Sequence, residues 1–225
     1  MRFIYSPYSI DMAWEEHENC ILQIENKKVY VDLLSDLYSQ IYHGEGEAIL
    51  SDGEKCIDIK KSTEVILEPF SIDFNNRKIK GKVYQELSTI ALQNHFLQYN
   101  DICSQLQEFM EKLLIEVPYS IAYQSSIVVD ELFKAEAVEL DYKYESLAEK
   151  ICIYIKLLSS ACGVRAVFFN DMGRFLSDEE MISVFKEAQY DKVSIIDIST
   201  QDKNRYMAEG IVHYILDETL CFWKV

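Results

Sequence analysis

Glycine and proline are scarce, with seven and three in 225 residues. A loop that cradles phosphate needs glycines so that backbone N–H groups can wrap the anion. The place for such a loop is the link "ENKK", residues 25–28, between the apolar run Cys20–Ile24 and a helical pattern, and it contains no glycine. Glu25 sets a repelling carboxylate there, so Lys27 and Lys28 read as surface or partner contacts rather than phosphate ligands. Positive charge is also in deficit: 22 Lys and Arg stand against 38 Asp and Glu, a formal net charge of -16. The field of such a molecule repels phosphates at long range, which excludes indiscriminate binding to nucleic acid or to an anionic membrane.

The six cysteines (Cys20, Cys56, Cys103, Cys152, Cys162, Cys221) include no C-x-x-C pair and no histidine at zinc spacing. Reduced thiols in a core are expected, not a disulfide or zinc framework. His17, His43, His95 and His213 stand alone, none at the i, i+3 or i, i+4 spacing of a helical metal pair. There is no G-x-S-x-G elbow, and "HGEGE" around Gly44 is a lone G-x-G beside glutamates that reads as a loop. No catalytic residue and no required cofactor emerge, so the expectation is a protein that is not an enzyme. No segment approaches about 20 uncharged apolar residues. The start "MRFIYSPYSIDMAWEEHEN" has Tyr, Ser and Pro where a signal peptide has an unbroken apolar core. A cytoplasmic protein without membrane contact is expected.

What is present is enough for a sizeable core: 49% of the residues are hydrophobic. "CILQI" predicts a short buried strand, followed by a helix with Val29, Leu33, Leu37 and Ile41 on one face. "EAILSDGEKCIDI" predicts a hairpin turning at Asp52 and Gly53. "EVILEPFSIDF" reads as extended and closed by Pro69, after which Asn75 or Asn76 caps a further helix. From Tyr84 to Val117 the positions Leu87, Ile90, Leu97, Leu106, Phe109, Leu113 and Val117 keep a helical period until Pro118, predicting one long helix kinked near Asn100. Helices around Val128–Ala137 and Ser146–Cys162 follow, the second ended by Gly163. "RAVFF", a helix opened by a Ser177/Glu180 capping box, and "KVSIIDI" make a βαβ unit. The pattern predicts an α/β head over 1–90 and 163–225, with an α-helical leg inserted over 91–162.

Two strands, "VFFND" ending at Asp171 and "SIIDI" carrying Asp197, have the form of metal-binding Walker B strands. Without a P-loop an acid that merely ends a strand is the simpler reading. The denser signal is "DFNNRKIKGKVYQEL", which sets Arg77, Lys78, Lys80 and Lys82 within six residues at a helix start. Cations there oppose the helix dipole. A phosphate nearby would offset that cost, and a solvated helix start is the alternative.

In "CILQIENKKVYVDLLSDLYSQI", "IDIKKSTEVILEPFSIDFNNRKIKGKVYQEL" and "VRAVFFNDMGRFLSDEEMISVFKEAQYDKVSIIDI" the chain resembles the ring-forming adaptation protein family of type II-A CRISPR systems, Csn with the ordinal two. The resemblance implies a head similar to P-loop ATPases but lacking their nucleotide site, together with a helical leg. It implies a homotetrameric ring that binds linear double-stranded DNA at its ends. It further implies work with the integrase proteins and the effector nuclease in acquiring spacers, and no catalytic activity. Arg77, Lys78, Lys80, Lys82, Lys60 and Lys61 fall in matching segments and are nominated for the DNA-facing lining. An acidic adaptor that docks proteins without touching DNA, and a divergent NTPase, stand as alternatives.

Family members carry a dense acidic, calcium-binding stretch after the first leg helix. Here Ser120, Ala122, Gln124, Ser125 and Ser126 occupy that region, with only Glu116, Asp130 and Glu131 close by. Calcium takes about six to eight oxygen ligands, several of them charged, so the resemblance implies calcium while this stretch falls short of its ligands. Chelation with EGTA is expected to leave the oligomer's mass in solution unchanged. Dissociation to monomers that calcium reverses would show that other residues supply the ligands.

Overall fold

The computed structural model describes residues 1–16, 18–124, 127–200 and 210–225. Among them the chain is mixed α/β, with seven α-helices and two sheets. It divides into two compact units, residues 1–74 with 142–225, and residues 75–141.

In the first unit, β1 (Arg2–Tyr5), β2 (Ile10–Ala13), β4 (Ala48–Asp52) and β5 (Lys55–Ile57) form an antiparallel sheet of order β2-β1-β4-β5. The β4–β5 hairpin turns at Asp52 and Gly53, where Gly53 takes a φ of 57° that a side chain would resist. β1 and β2 were not legible in the sequence. The larger sheet has the order β10-β9-β3-β8-β7-β6 and comprises β3 (Asn19–Ile24), β6 (Thr63–Ile66), β7 (Ala166–Asn170), β8 (Ser194–Ser199), β9 (Ile211–Leu216) and β10 (Phe222–Lys224). All its neighbours pair parallel except β10 on β9.

β3, β6 and β8 are buried at every residue. Strands of a parallel sheet covered on both faces carry apolar residues on both sides rather than alternating, and the polar ones among them must find hydrogen-bond partners. One face, through Cys20, Leu22, Ile24, Phe168, Ile196 and Ile198, packs with α1 (Lys27–Tyr42) and the small sheet into a single core. Phe3 meets Phe168 there with ring centroids 5.1 Å apart. The opposite residues, Ile21, Val167, Phe169 and Ile195, are equally buried. α6 (Leu147–Cys162) and α7 (Asp178–Tyr190) contact each other, and α7 contacts β8. Ser146 and Ser177 cap these two helices, the latter in a full capping box with Glu180. Gly163 ends α6 with a left-handed φ of 66°. A four-residue helix, α2 (Ile59–Ser62), precedes β6.

The second unit holds α3 (Arg77–Asn94), α4 (Phe96–Ile115) and α5 (Val129–Ala135). The long helix expected to kink near Asn100 is two helices that part at His95, which takes φ -126° and ψ 26°. No proline or glycine marks that break. All of α3 belongs with the second unit, and α6, read from sequence as part of the leg, packs against α7 in the first. Among the described residues no helix is long and apolar enough to cross a membrane.

One buried side chain joins three elements of the first unit. Asn19, fully buried, donates from Nδ2 to the Phe185 carbonyl at 3.1 Å and accepts the Ile195 N–H at 2.8 Å. Asn19→Ala strands a buried donor and a buried acceptor, and should lower the free energy of unfolding by about 2–3 kcal/mol, read from urea denaturation. A change below about 0.5 kcal/mol would mean that water or a backbone shift replaces both bonds.

Candidate nucleic-acid interface

Two places in the fold can be tested for ligand chemistry, the carboxyl edge of the parallel sheet and the start of α3. Open α/β sheets bind ligands at the carboxyl ends of their strands. Here β3 runs through Glu25 and Asn26 straight into α1, and Asn26 caps the helix itself. Its Oδ1 accepts from the N–H groups of Lys28 at 3.0 Å and Val29 at 3.3 Å. The donors a phosphate would seek are thereby engaged by a side chain. Lys27 and Lys28 lie exposed on the first turn.

The neighbouring strand ends are laced together. The Tyr30 hydroxyl donates to Asn170 Oδ1, and Asn170 Nδ2 donates to the Leu67 carbonyl at 3.0 Å. Asp171 is buried at a φ of 53°, unusual for a residue with a side chain. Its N–H donates to the Ile198 carbonyl at 2.8 Å, and the fully buried Asp197 accepts the Met172 N–H at 2.7 Å. Burial, with Asp171 and Asp197 adding to it, pushes the Tyr30 hydroxyl up to about 12, so it stays a neutral donor. The Asp171 backbone and the Asp197 carboxylate, the latter from within β8, thus hold the turn that follows β7.

The start of α3 is different. Asn76 caps it, with Oδ1 accepting the Ile79 N–H at 3.0 Å, and no acid stands in the first turn. Residues 75–141 hold six Lys and Arg, of which Arg77, Lys78, Lys80 and Lys82 are four. The other two are answered locally, Lys112 by Glu108 and Lys134 by Glu131. The nominated cations do not behave as one group. Lys80 Nζ is 3.1 Å from Glu139 and 5.9 Å from the Tyr84 ring centroid. Lys78 and Lys82, four residues apart, share a side of the helix about 140° from the middle of the line through 80, 84 and 88, at 3.6 residues per turn. Lys82 is exposed and has no ion-pair partner among the described residues, and Arg77 is exposed at the first helical position. Lys60 and Lys61 sit on α2 in the first unit, both exposed, with Lys61 Nζ 3.4 Å from Asp58.

The line through 80, 84 and 88 is what sequence reasoning missed. Tyr84 donates from its hydroxyl to the Val138 carbonyl at 2.8 Å, its ring lies 5.5 Å from that of Phe133, and Ser88 donates to Asp130. Asn75 makes two bonds to the Leu140 backbone, at 3.0 and 2.8 Å. Only the i, i+4, i+8 spacing of one cation, one aromatic and one hydroxyl hinted at this.

The region expected to hold calcium in relatives offers little. Ser125 and Ser126, as well as His17, lie outside the described residues. Glu131 is paired with Lys134 at 2.7 Å, and Asp130 accepts from Ser88. Among the described residues no group of three or more His, Cys, Asp or Glu is placed to hold a metal ion.

A protein-family model described as CRISPR-associated protein (Cas_Csn2) matches residues 40–220. The match takes in α3, α4, α5 and most of the larger sheet. No curated protein matches the chain. From the engaged N-terminus of α1, ATP and GTP turnover is expected at the level of a buffer blank. Turnover above it that disappears in Asp171→Asn would show that the strand ends accept a nucleotide after all.

Proposed function

Because the chain belongs to the type II-A CRISPR-associated Csn2 family, whose role is CRISPR adaptation, we propose that it binds the ends of linear double-stranded DNA as a homotetrameric ring and catalyses no reaction. It would act beside the integrase proteins and the effector nuclease of spacer acquisition. The observation that carries the DNA reading is the start of α3, where Arg77 and Lys82 are exposed and Lys78 half-exposed, with no acid in the first turn, in a chain of net charge -16. Phosphate is the anion that offsets such a cluster without base recognition. Arg77, exposed at the first helical position, extends it.

Support for self-association comes from α4. This helix has no buried residue, and Ile102, Leu106, Phe109 and Leu113, spaced four, three and four apart, are 51%, 39%, 54% and 43% exposed. A stripe of that spacing on a soluble protein calls for a facing surface. For the head, the parallel order β9-β3-β8-β7-β6 with a helix directly after β3 supports a likeness to P-loop ATPases, and the Asn26 cap supports the absence of their nucleotide site.

The combined change Lys78→Glu and Lys82→Glu should weaken binding of linear duplex alike on all sequences. It should also make the slope of log affinity against log salt shallower by about 0.9 for each phosphate contact removed. Oligomer mass is measured alongside, and closed circular duplex serves as the control that a threaded ring shifts less than linear. An unchanged slope in a variant of unchanged mass would assign the lining elsewhere, first to Lys60 and Lys61. A parent protein that shifts neither form would favour the adaptor reading.

A further inference from the structure

We infer that Lys80 is not a DNA contact but a positioning residue, which fixes the roll of α3 so that Lys82, on the side away from Glu139, is turned outward. The inference rests on the DNA reading above for what Lys78 and Lys82 do, and on the geometry of residues 75–141 for what Lys80 does.

Three observations converge. The Lys80 side chain is only 28% exposed although it lies in the second turn of a surface helix, and its ammonium is held 3.1 Å from Glu139 Oε1. The same ammonium sits over the face of Tyr84, one helical turn on, within reach of a cation–π attraction. Tyr84 is buried and its hydroxyl is bonded to the Val138 carbonyl, the residue before Glu139. Lys80 thus reaches the segment Val138–Leu140 twice, once by charge and once through the ring it covers. Asn75 fastens Leu140 from just before the helix, and Ser88 fastens Asp130 two turns further along. A helix held along one line can neither roll nor slide, so the opposite side has a fixed set of residues. A phosphate contact by Lys80 would require breaking the Glu139 pair and uncovering Tyr84, while Lys82 needs neither.

Single variants separate the roles. Lys82→Ala should flatten the salt slope for linear duplex by about 0.9 per contact removed. Lys80→Met, which keeps the stem over Tyr84 but removes the charge, should leave the slope unchanged. It should weaken affinity at fixed salt by no more than about fivefold and lower Tm by about 1–3 °C. Lys80→Arg, which can still reach Glu139, should restore both affinity and Tm. Glu139→Gln should lower Tm as Lys80→Met does, and the two together should cost no more than one. A slope flattened by Lys80→Met as much as by Lys82→Ala, or Tm losses of Lys80→Met and Glu139→Gln that simply add, would overturn the inference. If neither Lys78→Ala nor Lys82→Ala moves the slope, the DNA reading fails on its own. The non-additive Tm cycle then still decides whether Lys80 ties α3 to Glu139.

Discussion

The structure depends on covering both faces of one parallel sheet. β3 and β8 are buried at every residue and β7 at all but Asn170, with apolar side chains on both faces, so each side needs its own layer. The small antiparallel sheet and α1 supply one, and α6 with α7 lines the other. A parallel step from β6 to its neighbour β7 cannot be made by a tight turn and needs a crossover that packs on the sheet. α6 is the helix of that crossover. Residues 75–141 are therefore an insertion into a connection that the sheet already demands, placed between the end of β6 and the helix that returns to it. This is why α6 belongs with the first unit although it follows three inserted helices without a glycine or proline boundary.

Most elements were legible because they rest on local chemistry. The β3–α1 step, the Asp52–Gly53 hairpin, the asparagine cap of α3, the Gly163 stop and the Ser177/Glu180 box each depend on residues close in sequence. What escaped depends on contacts at a distance. The break at His95 carries no breaker residue, and β1 and β2 take their meaning from pairing, β1 with β4 some 45 residues away. The periodic apolar residues of α4 read as a core face, since periodicity states that a face is apolar and not what covers it. Likewise, four cations within six residues read as one patch. Their division into Lys80 on one side and Lys78 with Lys82 on another follows from the helical repeat, but that Lys80 is held depends on Glu139, 59 residues on.

Electrostatics shape the cationic site as much as packing does. At physiological salt the Debye length is about 8 Å, so a phosphate at contact distance from α3 feels the nearby lysines more than the distant acids of the chain. The arrangement is locally unfavourable without an anion, because cations at a helix N-terminus meet a partial positive charge. Asn76 relieves the backbone part of that problem by accepting the Ile79 N–H, and it adds no negative charge in doing so. An aspartate at the cap would bind the same N–H and cancel part of the cluster's field.

The same arithmetic bears on assembly. A single chain presents two exposed cations on α3, Arg77 and Lys82, against a net charge of -16. A contact of that size is weak at any physiological salt, since few phosphates are neutralised and few counterions released. Repeating the patch around one duplex multiplies contacts without adding a cation to any chain, and once one copy is engaged the others bind at high effective concentration. Under the proposed reading, the exposed stripe of α4 and the exposed cations of α3 are then parts of one requirement. A sparsely cationic, strongly acidic chain gains affinity for DNA only in company, and the apolar face that would bring copies together lies in the same inserted unit as the cations they would align.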